Sequence, residues 1–203
     1  SRMTTNSQGC RSVRAFLPEP VPPDVLDRCL DSARRAPSSS NLQPWEFVVI
    51  RDPATRRAAD AACLGQRAVR EAPLLVAVVA HRRAWKTRAP IILSTLEARG
   101  LLRPSHRRYW GTLVPLTAVG GPFGLLGLLK AGVSRLISLA RPVPSLGTAC
   151  DHRVVTHKST ALAAATFMLA LRAEGYDSCP IEGFDPWRAR RLLRLPRGAE
   201  VCM

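Results

Sequence analysis

The stretch Ala36-Pro37-Ser38-Ser39-Ser40-Asn41-Leu42-Gln43-Pro44-Trp45-Glu46-Phe47 decides how this chain is read. Its first half strings together Pro37, three serines and Asn41, small or polar residues that favour turns, and its second half enters the run Trp45 to Ile50, whose aromatic and β-branched side chains predict a strand. The product is a loop that offers hydroxyls, an amide and bare main chain to something planar and polar. A second stretch, Cys179-Pro180-Ile181-Glu182-Gly183-Phe184-Asp185, has a similar character. Gly183 permits close approach to the backbone, and Asp185 is placed to cap a helix that Pro186 opens. Taken singly, each is an ordinary connection, because Ser and Asn commonly bond their own backbone and a Gly turn commonly precedes a capped helix.

Working outward, Val25, Leu26, Cys29, Leu30 and Ala33 follow helical spacing, with Asp24 in the first turn and Arg34 and Arg35 in the last. This helix ends before Pro37 and delivers the chain into the serine loop. After the strand at Trp45–Arg51 the pattern predicts a helix over Pro53–Cys63 and a buried strand over Leu74–Ala80. A helix over Ser159–Arg172, apolar on every side between Ala161 and Leu171 apart from Thr166, belongs in a core or between subunits. Eleven apolar residues are too few to span a bilayer. A short helix from Pro186 through Leu193 is stopped by Pro196, and Ala199–Met203 reads as an apolar strand.

From Tyr109 to Leu129 no residue is charged, but Gly111, Gly120, Gly121, Gly124, Gly127, Pro115 and Pro122 interrupt helical continuity and argue against a membrane span. Phe123–Leu139 reads as an amphipathic basic helix carrying Lys130 and Arg135. Two readings of the segment 109–140 stay open, a hydrophobic lid over an active site, which is favoured, and a weak interfacial membrane contact, whereas stable membrane insertion is not expected.

At 203 residues and 46% hydrophobic the chain can bury one sizeable core, which favours a single domain. Ser1-Arg2 ahead of Met3 reads as an expression scar. Six cysteines without a C-x-x-C pair predict reduced thiols in a cytoplasmic protein. His152 and His157, near Cys150 and Asp151, lack a second ligand pair and read as loop histidines, so no metal is expected. The net charge of +15 comes from 30 basic and 15 acidic residues, and most of the basic ones are Arg, whose planar fork suits phosphate and carboxylate. They scatter along the chain, and aromatics make up only 5%, so a surface that draws in anionic cofactors is favoured over a nucleic-acid binder. No G-x-G-x-x-G or G-x-x-x-x-G-K loop is present, which excludes a Rossmann site and a P-loop.

With Cys10-Arg11-Ser12-Val13-Arg14-Ala15-Phe16 near the start, the two polar stretches occur in the order and at roughly the separations of the nitroreductase family, which the chain resembles from about Arg11 to Met203. The resemblance implies an α+β fold, a central mixed and mostly antiparallel sheet flanked by helices, in an intertwined homodimer with two FMN sites at the subunit interface. It implies a two-step, ping-pong reaction in which NAD(P)H gives a hydride to flavin N5 and an electrophile such as a nitroaromatic or quinone receives it. Specialised relatives of the same fold, such as enone reductases, dehalogenases and dehydrogenases, are alternatives, as is a non-catalytic basic protein that binds flavin or nucleic acid.

Residue by residue, the resemblance makes Arg11, Ser12 and Arg14 a phosphate and flavin clamp, although two arginines and a serine alone would read as solvated. Cys10 stands where the family usually has Arg. Pro37, Ser38, Ser39 and Asn41 are expected along the ribityl chain and one ring edge, with Gln43-Pro44-Trp45 holding the loop in shape. Pro180, Ile181, Glu182 and Gly183 are expected near N5, with the backbone amides of Glu182 and Gly183 as donors. Gln66 is expected at the pyrimidine edge, with Arg67 or Arg70 as substitutes, and no side chain is expected to act as a nucleophile. A C-terminal tail that would add basic residues to the phosphate is expected to be missing from the chain as given.

Overall fold

The structure, a computed structural model, describes residues 12–119, 125–143 and 148–203. Arg11 and Cys10 lie outside these residues, as do Gly120, Gly121, Pro122, Phe123 and Gly124. The chain groups into two compact units: one of residues 1–37, 45–80 and 160–203, the other of residues 38–44 and 81–159.

The first unit is built on a sheet of three strands, among the described residues, in the order β1 (Trp45–Ile50), β2 (Leu75–His81), β3 (Ala199–Val201). β1 and β2 are antiparallel, with Trp45 opposite Ala80 and Ile50 opposite Leu75. Just beyond β3, Cys202 donates its N–H to the Val78 carbonyl at 2.7 Å and the Met203 carbonyl accepts from Val78 N–H at 2.8 Å. β2 is buried along Ala77, Val78, Val79 and Ala80, as expected of a central strand rich in β-branched residues. Helix α1 (Pro23–Arg34) buries Val25, Leu26, Cys29 and Ala33 against Phe167 and Leu171, and Phe47 meets Phe167 with ring centroids 5.5 Å apart. Arg28 forks onto Glu174, Nε to Oε1 at 3.0 Å and Nη2 to Oε2 at 2.8 Å, pinning α1 to the chain leaving the long helix α8 (Ala149–Ala173). Helix α2 (Pro53–Ala62) starts at Asp52, whose carboxylate accepts from Thr55 N–H at 2.7 Å, and the short α3 (Arg67–Glu71) follows.

Among its described residues the second unit is mainly helical. It contains α4 (Trp85–Ala98), α5 (Pro104–Arg108), a π turn at Tyr109–Leu113, α6 (Val114–Ala118), α7 (Leu125–Ser138) and the N-terminal end of α8. The helical run through Gly111 and Pro115 corrects the expectation that these residues break helical continuity. Pro115 has no N–H for the Gly111 carbonyl and its ring crowds that oxygen, and the chain widens just before it, Val114 N–H reaching the Tyr109 carbonyl five residues back.

Helix α8 also corrects the sequence expectation. It begins at Ala149, ten residues ahead of Ser159, so His152 and His157 are helical and not loop residues. Thr148 and Asp151 set that start: Thr148 N–H donates to Asp151 Oδ2 at 2.9 Å and Asp151 N–H returns to Thr148 Oγ1 at 3.1 Å, a reciprocal cap. Among the described residues α8 is the one helix long and apolar enough to cross a membrane by length and composition. Its C-terminal half buries Ala163, Ala164, Phe167 and Leu171 in the core of the first unit. Helix α9 (Pro186–Leu192) begins where the sequence places it, Asp185 Oδ1 accepting from Trp187 N–H at 2.9 Å and Arg188 N–H at 3.0 Å.

Candidate functional site

In the first unit the N-terminal motif and the Glu-Gly turn are neighbours. Ser12 forms a parallel bridge with Ser178, and Val13 N–H donates to the Ser178 carbonyl at 3.1 Å, which lays the Ser12 to Arg14 segment beside the chain entering Pro180 to Gly183. Ser12 and Arg14 are exposed. Gln66 joins the group from the other side: its Nε2 donates to the Gly183 carbonyl at 2.6 Å and to the Cys63 carbonyl at 3.0 Å. Both amide hydrogens are taken by these bonds, so what Gln66 can offer a ligand is Oε1 as an acceptor. A Cβ on residue 183 would lie 3.3 Å from Gln66 Nε2, which is why this position suits glycine although its φ is ordinary.

The turn leaves main-chain donors free. Phe184 N–H is used by the Glu182 carbonyl at 3.1 Å and Asp185 N–H by the Ala62 carbonyl at 2.8 Å, whereas the N–H groups of Glu182 and Gly183 have no acceptor among the described residues. Both residues are exposed. Two adjacent free amides on a turn fixed at either end form a donor pair for an electron-rich ligand atom. Nearby, the Cys202 thiol is pushed up by burial and then by the charge of Glu182, and burial together with Asp60 raises Cys63, so neither is poised as a thiolate.

A cavity of about 580 Å³ lies in the same unit, lined by Phe16, Val21, Val78, Phe167, Leu171 and Ile181 among others. Ser12, Arg14, Gln66, Glu182 and Gly183 are not in its wall, so this mainly apolar space is separate from those polar groups.

In the second unit the serine loop is held in an unusual conformation. Ser39–Asn41 form a 3₁₀ turn, and Ser40, Asn41 and Gln43 have φ of 55°, 52° and 44°, a left-handed region costly for residues with a Cβ. Several bonds impose it. Ser38 Oγ accepts from Gln43 N–H at 2.9 Å, Ser39 N–H donates to Ser159 Oγ at 3.2 Å, and Trp110 Nε1–H donates to the Ser40 carbonyl at 2.9 Å. Ser40 Oγ and Tyr109 Oη are 2.9 Å apart. Ser38 is therefore occupied with the loop itself, while the side chains of Ser39 and Asn41 are exposed and free of hydrogen bonds among the described residues. Pro37 ends the preceding segment, exposed.

Sequence reasoning missed Tyr109, Trp110 and Ser159 as positioning residues. Tyr109 and Trp110 open the uncharged stretch and pack edge to face with centroids 5.1 Å apart, and their polar tips were the available signal. His152 is half-buried, and burial, followed by Arg82 and Lys130, holds its imidazole below the usual value. Among the described residues no three His, Cys, Asp or Glu side chains gather as a metal site, and the five cysteines there form no disulfide.

A three-stranded sheet with helices makes an α+β protein, and its likeness to solved structures is that of a nitroreductase-like fold. The family model described as the nitroreductase family matches residues 9–120 and 132–203, and the chain belongs to that family of oxidoreductases. It is 33% identical over 191 residues to a protein of Thermus thermophilus named NADH dehydrogenase, covering 94% of this chain and 78% of that one. Among solved structures it resembles ydfN of Bacillus subtilis, with TM-score 0.74, 24% identity and coverage of 98% and 84% of the two chains. It also resembles an Exiguobacterium sibiricum structure in complex with FMN, with TM-score 0.70, 21% identity and coverage of 99% and 84%.

Proposed function

We propose that this chain is an FMN-dependent NAD(P)H oxidoreductase that acts on electrophilic acceptors of the nitroaromatic or quinone class, as a cytoplasmic homodimer whose cofactor sites draw on both chains. When bound, FMN supplies a carrier that accepts a hydride from the nicotinamide and passes electrons onward in a second half-reaction. The observation that carries the reading is the pair of unpaired amides at Glu182 and Gly183, on a turn fixed by Gln66 and by the Ser12 to Ser178 bridge. The fit is chemical: an aromatic heterocycle with ring nitrogens and carbonyls needs donors that do not titrate, and main-chain N–H groups meet that need.

The remaining roles follow from each residue's freedom. Arg14, exposed, is the cation assigned to the pyrimidine edge, where negative charge accumulates on reduction, and the exposed Ser12 is assigned to the phosphate, together with its sequence neighbour Arg11, which lies outside the described residues. Ser39 and Asn41 are assigned to the ribityl and ring-edge contacts because their side chains are uncommitted, while Ser38 shapes the loop. Gln66 acts chiefly by placing Gly183. The exposed Tyr109 and Leu113, with Leu116, fit the substrate-facing cover expected of segment 109–140.

The test is the visible spectrum of the purified protein, with mass spectrometry of what it releases on heating and a fluorescence titration with added FMN. Flavin bands, a mass matching FMN and a fall in affinity of about tenfold or more for Ser39→Ala with Asn41→Ala are expected. A colourless protein that takes up no FMN overturns the proposal.

A further inference from the structure

Helix α7 is turned inside out for a helix of a water-facing surface. Gly127 is buried and Ala131 and Ser134 are half-buried, while Leu128, Leu136 and Leu139 stand 66%, 69% and 82% exposed. At 100° per residue, Leu125, Leu128, Leu129, Leu136 and Leu139 fall within one stripe that also takes in Gly132, and Val133 and Leu126 widen it. The helix thus packs its small residues inward and presents leucines outward. Lys130 fastens it in that orientation, its Nζ donating to the Leu116 and Val119 carbonyls at 2.6 Å each.

Charge identifies what covers the stripe. The unit of residues 38–44 and 81–159 holds thirteen of the 30 Lys and Arg but only Glu97 and Asp151 of the 15 acidic residues, so it carries eleven of the fifteen net positive charges. Between Glu97 and Asp151 there is no acidic residue at all, and Arg135 flanks the leucine stripe while Arg141 follows the helix. Two such units meeting through α7 would bring like charge together as the leucines desolvated, which disfavours a second copy at this face. The backbone of a nucleic acid would satisfy the charge but leave the leucines in water. An anionic lipid surface satisfies both, because leucines enter the acyl boundary while arginines remain among the headgroups.

We infer that the outward leucine face of α7, Leu125 to Leu139, docks this protein peripherally on membranes rich in anionic lipid. The helix lies in the interface plane and does not span, since its 14 residues reach only about 21 Å at 1.5 Å each. This inference uses no residue assigned to the cofactor, and it gives the outward face of α7 to the membrane while leaving the substrate-facing cover to Tyr109, Leu113 and Leu116.

The test is flotation of the full chain with large unilamellar vesicles of phosphatidylcholine, with and without phosphatidylglycerol. Wild type is expected to float only with the anionic vesicles and to be released by added salt. Leu128→Ser with Leu136→Ser keeps the charge and is expected to lower partition by about tenfold or more, with thermal unfolding by circular dichroism unchanged. Arg135→Gln with Arg141→Gln is expected to weaken binding several-fold and flatten its salt dependence. The inference is overturned if wild type stays in the aqueous fraction, if the leucine variant floats as well as wild type, or if that variant lowers the oligomeric state in lipid-free sedimentation, which would make the face a contact between copies. Displacement of wild type from vesicles by duplex DNA, with DNA affinity unchanged in the leucine variant, would overturn it in favour of nucleic acid.

Discussion

The stability effect of replacing Gly183 by Ala is expected to depend on the residue at position 66. In the wild-type background the new Cβ would lie 3.3 Å from Gln66 Nε2, so the amide must retreat by a few tenths of an ångström and its 2.6 Å bond to the Gly183 carbonyl weakens. Losing most of one such hydrogen bond, which is exposed here, costs about 0.5–1.5 kcal/mol at most. Set against that, Ala restricts the unfolded chain and, at a residue whose φ is not left-handed, stabilises by about 0.4–1 kcal/mol. The sum runs from about 0.5 kcal/mol of stabilisation to about 1 kcal/mol of destabilisation. With Gln66→Ala the neighbour is gone and only the unfolded-state effect remains, so Gly183→Ala should then stabilise by about 0.4–1 kcal/mol. Gln66→Ala alone removes both side-chain bonds, to Cys63 and Gly183, and is expected to destabilise by about 1–3 kcal/mol. Urea unfolding of the four proteins, compared at constant slope, reads each value. If Gly183→Ala has the same effect in both backgrounds to within about 0.3 kcal/mol, the contact does not constrain the turn and the account of this glycine fails.

Further outcomes follow from the same structure. Asp185→Ala should cost about 0.5–2 kcal/mol by uncapping α9, read by urea unfolding. Asp52 has its carboxyl held below the ordinary 3.8, chiefly by Thr55 N–H. Its stabilisation is present above that value and is lost as pH falls through the lower folded one, so wild type and Asp52→Ala should converge in acid-unfolding curves below about pH 4. His152 is also depressed, by burial and then by Arg82 and Lys130. The unfolded chain binds its proton first, so stability should fall as pH drops below about 6.5, and His152→Gln should flatten thermal midpoints between about pH 5 and 7. Alkylation followed by mass spectrometry should label exposed Cys150 first and Cys29, 1% exposed and raised by burial, last.

What could be read from the sequence is what local chemistry determines. β1, β2, α1, α2 and α9 lie within a residue or two of their expected bounds because alternation, helical spacing and the Asp-Pro starts at Asp52 and Asp185 act over a few residues. The N-terminal third of α8 escaped because it is polar, and its signal was the Thr148 to Asp151 box. Helix α4 escaped because Pro90 interrupts it and the apolar residues follow no single face. The pairing of Ser12 with Ser178 and of Gln66 with Gly183 spans 166 and 117 residues, and nothing local encodes either. The basic residues are spread over both units in proportion to their length, and the charge of the second unit comes instead from its having only Glu97 and Asp151 of the 15 acidic residues, an imbalance visible only once residues 81–159 gather into one unit.

The serine loop shows how such a site is maintained against its own cost. Three residues with a Cβ within four positions, Ser40, Asn41 and Gln43, occupy left-handed backbone, each at a cost of order 1–3 kcal/mol. A free loop would relax, so the conformation persists only because other bonds over-determine it. Those bonds come from Ser38, Ser159, Tyr109 and Trp110, and each uses the loop's backbone or a hydroxyl that is not needed elsewhere. The division leaves Ser39 and Asn41 uncommitted and already oriented, so a ligand that meets them pays little further ordering entropy. Trp110→Phe removes the indole donor to Ser40 while keeping most of the ring. If the loop is preorganised in this way, that change should weaken FMN binding severalfold with little loss of stability, although Trp110 itself is assigned no contact with the cofactor.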